Sequence, residues 1–154
     1  MEKLFDITIK NRKILYRILQ NTPKEQLVKI PKGFRNSIWW NIAHVVVTQQ
    51  LLVYKMSNLP MKLEDSIIDA FKKGTVPDGT ASDEEIEMMS AYLFSTAEGV
   101  EEDYKKGVFQ DFNEYTTTPK ITLSNVEDAI AFNAFHEGIH LGVIISLQKA
   151  LLEG

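Results

Sequence analysis

The chain has 154 residues, 44% hydrophobic and 25% charged, enough for one domain with an apolar core of its own. Its net charge of −4 and the scatter of its basic residues exclude a clustered phosphate-binding footprint, so nucleic acid is not an expected partner. The absence of cysteine excludes disulfides, thiolate ligands and a cysteine nucleophile. With no signal-like apolar run at the N-terminus and no stretch approaching a membrane span, a cytoplasmic protein without membrane attachment is expected.

The first predicted helix runs from about Glu2 to Gln20, with Leu4, Ile7, Ile14 and Ile18 spaced for one buried face. Asn21-Thr22-Pro23 stops it. The second begins at Asn36 or Ser37, either of which can cap it, and ends near Met56 before Ser57-Asn58-Leu59-Pro60. About 25 residues follow before the next long helix, too many for a tight turn. Within them Ile67, Ile68, Ala70 and Phe71 suggest a short helix, ended by Gly74 and Pro77.

The third long helix opens on a capping box, Ser82 with Glu85, and carries the stripe Ile86, Met89, Leu93, Ala97, Val100, Tyr104. The link from Gly107 to Leu123, with three consecutive threonines and Pro119, reads as extended or irregular. A second capping box, Ser124 with Glu127, opens the last helix, which runs nearly to the C-terminus. Four helices with one long crossover describe an all-α helical bundle, a single domain over residues 1–154.

The chemistry concentrates in the last helix. Its inward stripe reads Val126, Ala129, Asn133, His136, His140, Ile144, Leu147, Leu151, apolar at both ends and polar in the middle. Two imidazoles and an amide buried together are costly unless something satisfies them, and a divalent metal ion does so. Residues four apart share a helix face, so His136 and His140 can converge on one ion. The one other histidine, His44, sits near the middle of the second helix, and bundle cores build metal sites from facing helices in this way. A neutral three-histidine set leaves coordination positions open, which suits a catalytic metal better than a structural one. The competing reading is a non-catalytic bundle whose histidines hold a structural ion or are simply satisfied core residues.

His136-Glu137-Gly138-Ile139-His140 also fits H-E-x-x-H, which makes Glu137 a candidate general base. The peptidase version fails, because no histidine follows His140 to complete the ligand set and no strand is expected beside the motif. A solvated position for Glu137 is the other expectation. Trp40, one turn before His44, and Thr48, one turn after it, are candidate substrate-pocket residues, as is Asn133 one turn before His136.

Two segments carry a family resemblance. Ser37-Ile38-Trp39-Trp40-Asn41-Ile42-Ala43-His44 resembles the W-x-x-x-H segment on the second helix of DinB/YfiT-like proteins, and Phe135-His136-Glu137-Gly138-Ile139-His140-Leu141-Gly142 resembles their H-E-x-x-H-x-G segment on the last. Helix order, chain length and the long crossover agree. The resemblance implies a four-helix bundle of up-down-down-up connection, often a homodimer, with His44, His136 and His140 holding nickel or zinc. It further implies an enzyme acting on a small molecule, either a transferase that uses a low-molecular-weight thiol (bacillithiol, mycothiol or glutathione) as co-substrate or a hydrolase. No motif in the chain selects among these.

Overall fold

The computed structural model describes residues 1–153. Its long helices are α1 (Glu2–Asn21), α3 (Ile38–Gln49), α5 (Asp83–Lys105) and α6 (Val126–Glu153), with short helices α2 (Lys24–Val28) and α4 (Asp65–Phe71) between them. The fold is all-α, apart from one small hairpin. α1 packs against α5 and α6, and α3 packs against α6.

Ser37 starts α3 by accepting a hydrogen bond from Trp40 N at 3.1 Å. Every residue from Ile38 to Val47 is buried, so α3 is the central helix, covered on all sides and predominantly apolar. It continues without a break into a π-helical segment, Gln50–Lys55, where Gln50 Oε1 accepts from Lys62 N at 2.8 Å. Such widened turns are frequent at functional sites. Here the widened turn sets Leu51, Leu52 and Lys55 along the wall of a cavity.

α5 opens on the expected capping box, with both reciprocal bonds between Ser82 and Glu85 formed. Its stripe is buried from Met89 to Val100. At α6 the cap lies one residue later than the sequence suggests. Asn125 Oδ1 accepts from Asp128 N at 2.8 Å, and Ser124 N donates to Asp128 Oδ2 at 2.9 Å, while Glu127 turns outward to accept from the Tyr104 hydroxyl. The preceding link is partly ordered as an antiparallel pair, β1 (Tyr115–Thr116) and β2 (Thr122–Leu123), whose turn passes through Lys120 at φ 65°.

Two helix faces differ from expectation, for one reason. On α1 the buried residues are Phe5, Thr8, Arg12, Leu15 and Leu19, whereas Ile7 and Ile14 are 45% and 42% exposed. On α6 the fully buried positions include Asn133, Glu137 and Ile144, with His136 and His140 on the flank of that stripe. Arg12 and Glu137 are both 0% exposed and bind each other in a fork: Nε to Oε2 at 3.0 Å and Nη2 to Oε1 at 2.7 Å. A buried charge pair rotates both helices away from the purely apolar register.

That pair belongs to a polar layer. Thr8, Arg12, Gln49, Gln50, Thr96, Asn133 and Glu137 lie between two apolar clusters. One contains Leu15, Ile42, Val46, Leu93 and Ile144, the other Phe5, Val53, Val100, Leu123 and Ile130. α6 crosses both clusters on its inner side and keeps an apolar outer side. By length and composition alone its Val126–Leu152 stretch could span a membrane, contrary to the reading of the bare sequence, yet it carries the buried Glu137 and packs on α1 and α3.

Candidate metal centre

His44 projects from the middle of α3 and the pair His136 and His140 from α6, the helix packed against it. One ring nitrogen of each lies within 4.8 Å of the other two. The ring centroids are 4.4 Å apart for His136 and His140, 4.8 Å for His44 and His140, and 5.3 Å for His44 and His136.

Hydrogen bonds behind the rings determine which nitrogen points inward. His44 Nδ1 is 2.7 Å from the Phe71 carbonyl, which can only accept, so Nδ1 carries the proton and Nε2 keeps its lone pair. Asn41 Nδ2 donates to the Ser37 carbonyl at 2.7 Å, which turns its Oδ1 toward His140. His140 Nδ1 therefore donates to that Oδ1 at 2.7 Å, and its Nε2 is likewise a bare acceptor. Outer partners that orient the ligand ring in this way are a regular feature of histidine metal sites. His136 differs: its Nδ1 is buried without a partner, and the Phe132 ring stacked at 6.5 Å holds it by packing.

His136 Nε2 and His140 Nε2 lie 3.0 Å apart. Burial and the neighbouring imidazoles push His136 down to about 3, and burial, with His44 beside it, pushes His140 down to about 4. His44 is also lowered by burial, against the pull of its hydrogen bond to Phe71. Three neutral imidazoles, two of them oriented by their outer nitrogens, form a donor set suited to a divalent ion. In the neutral pair His136 Nε2 donates to His140 Nε2, which leaves the buried His136 Nδ1 without a partner. The fit to an ion rests on one ring nitrogen of each histidine lying within 4.8 Å of the other two, with lone pairs facing inward at His44 and His140.

Trp40 stacks flat on His44, with centroids 4.4 Å apart, and its Nε1 donates to Thr75 Oγ1 at 2.9 Å. Thr48 Oγ1 lies 3.3 Å from His44 Nε2, on the inward side of the ring. Both residues line cavities that meet at the histidines. One, of about 330 Å³, is walled by the π-segment, the hairpin and α6, and the other, of about 730 Å³, by Arg35, Trp40 and the 73–76 turn.

Two sequence-predicted positions fall elsewhere. Glu137 neither faces solvent nor offers a free carboxylate as a base. Both of its oxygens are occupied, by Arg12, by Asn11 Nδ2 at 3.0 Å and by Asn133 Nδ2 at 2.9 Å. Asn133, 2% exposed, belongs to that polar layer and lines neither cavity. The sequence reading assigned no role to Asn41, the Phe71 carbonyl, Arg35 or Lys73. Asn41 alone carried a signal, as a polar residue one turn before His44 on a predominantly apolar helix.

A bundle of long helices with three imidazoles converging between two of them defines a helical domain built around a potential metal site. The chain belongs to the DinB superfamily, whose family model matches residues 8–144 and so includes all three histidines. No curated protein gives a match.

Proposed function

We propose that this protein is a metal-dependent enzyme acting on a small molecule at His44, His136 and His140, with nickel or zinc as the ion. The reaction is a thiol-dependent S-transfer, with hydrolysis as the second reading within the same site. The observation that carries the proposal is the convergence of three neutral imidazoles whose outer nitrogens are committed elsewhere at His44 and His140. The ion, when bound, supplies Lewis acidity to a thiol or a water molecule.

The protein's own groups do the rest. Trp40 and the Phe71 carbonyl hold His44 in place, Asn41 holds His140, and the Thr48 hydroxyl stands where it can orient a ligand arriving beside His44. The two cavities favour catalysis over a purely structural ion, because a structural site is closed and this one opens on both sides. Glu137 is held by Arg12, Asn11 and Asn133 and is not free to act as the expected base, so a proton lost from a thiol or water at the site would pass to solvent, made more acidic by an ion that His44, His136 and His140 would hold. The exposed apolar positions of α6 beyond the cavity wall, Ile145 at 45% and Leu152 at 81%, support a homodimer formed over that helix. Sedimentation of the wild type as a dimer, and of an Ile145→Glu variant as a monomer, is the expected result; a monomeric wild type removes the dimer.

Elemental analysis tests the metal. The purified untagged protein should carry about one equivalent of nickel or zinc, and a His136→Ala/His140→Ala variant none. Absence of metal in both, after incubation with divalent ions, overturns the proposal.

A further inference from the structure

The two cavities that meet at the histidines differ from the rest of the surface in charge. The chain has 21 acidic residues, yet among the described residues none lines either cavity. The linings contain three cations instead: Lys55 in the smaller cavity, Arg35 in the larger, and Lys73 in both. None of the three takes part in an ion pair among the described residues. Three other cavities show the opposite pattern, each with two carboxylates and no cation: Asp111 with Glu127, Glu64 with Glu85, and Asp78 with Glu85.

The two compartments also differ from each other. The smaller is walled by Leu51, Leu52, Phe132, Phe135 and Ile139. The larger presents Arg35, Asn36, Thr75 and all three histidines. Lys73 marks the boundary, because its Nζ donates to Thr118 Oγ1 at 2.6 Å and both residues line both cavities. His44 and His136 likewise face both. A molecule seated over the histidines therefore meets a mainly apolar wall that includes Lys55 on one side and Arg35 on the other, with Lys73 at the boundary.

We propose that the site takes an amphipathic organic anion. Its carboxylate or phosphate sits between Arg35 and Lys73, its apolar body lies against Leu52, Phe132, Phe135 and Ile139, and its reacting group lies between the two, over the histidines. This rests on the enzymatic reading of the centre and narrows it to a substrate class. Guanidinium and ammonium donors hold an oxyanion by charge-assisted hydrogen bonds, and in an acidic protein an uncompensated cationic lining also draws anions in from solution.

Calorimetric titration of the metal-loaded protein with octanoate, octyl phosphate, 1-octanol, acetate and inorganic phosphate tests this, with metal content measured on the same samples. One or both of the eight-carbon anions should bind about tenfold or more tighter than 1-octanol and than the short anions. Whichever binds identifies the head group. An Arg35→Gln/Lys73→Gln variant, altered only at exposed positions, should lose that preference while 1-octanol binding and metal content stay unchanged. Added salt should weaken the anions alone. Equal binding of octanoate, octyl phosphate and 1-octanol, or an anion preference that survives the double substitution, overturns the inference. Anion preference in a protein that holds no metal sustains the inference and overturns the metal reading; full metal without the preference does the reverse.

Discussion

At the residue scale, the histidines are only as well placed as the groups behind them. Asn41 is the clearest case, since its Nδ2 donates to the Ser37 carbonyl and its Oδ1 accepts from His140 Nδ1, both at 2.7 Å. An Asn41→Leu change keeps the volume and removes both. The His140 ring is then free to rotate or to present the wrong nitrogen, and metal affinity should fall about 10–100-fold with helical content intact. Competition against a chromophoric chelator measures it, and wild-type affinity in that variant would show that packing alone orients the ring. The three histidines were legible in the sequence because imidazoles on an apolar stripe at four-residue spacing need a common explanation. Their anchors were not. The Phe71 carbonyl is a backbone atom brought in by the crossover, and no residue type advertises it. The places of Trp40 and Thr48 beside His44 were legible because helical periodicity fixes what lies one turn either side of it.

At the scale of the helix pair, the interaction that sets the register of α1 on α6 is the fork between Arg12 and Glu137. Its remaining polar atoms reach Asn11, Asn133, Leu93 O and Thr96 Oγ1, the last two at 3.4 and 3.5 Å. Removing one partner leaves a charge buried and unpaired, so Arg12→Met or Glu137→Leu alone should cost about 3–5 kcal/mol. The double change Arg12→Met/Glu137→Leu should recover most of that loss, because desolvation of both charges disappears together with their attraction. Urea denaturation of the four proteins closes the cycle, and single variants within about 0.5 kcal/mol of wild type would show that the pair is not what fixes the helices.

The same pair explains the main misreading of the sequence. Counting only apolar residues puts Ile7 and Ile14 inside and Glu137 outside, whereas the true faces run through Thr8, Arg12 and Leu15 and through Asn133, Glu137 and Ile144. A buried ion pair is invisible in one sequence, since each partner alone reads as a surface residue. α5, whose inner face holds no charge, was read correctly. So was its capping box, while the box at α6 was displaced by one residue because Asn125 and Asp128 compete for the same roles as Ser124 and Glu127.

For the whole molecule, the polar layer and the three imidazoles place titratable groups between two apolar clusters, and this ties stability to pH. His136 at about 3 and His140 at about 4 remain neutral in the folded metal-free protein at pH values where an unfolded imidazole, near 6.5, takes up a proton. The unfolded state then binds more protons, so stability is fully present above pH 6.5 and is lost as the pH falls toward the folded values. At pH 5 each of these histidines should cost about 2 kcal/mol relative to pH 7.5. Carboxylates held low by partners, such as Asp103 beside Lys62 and Tyr54, act at more acidic pH, which leaves the window from 7.5 to 5 to the imidazoles. Urea midpoints of the chelated protein across that window should therefore fall steeply in the wild type. They should fall much less in the His136→Ala/His140→Ala variant, where only His44 remains. Parallel slopes in the two proteins would mean that the histidines are protonated freely in the folded state. The site would then be open enough to solvent to lose its claim to three neutral donors.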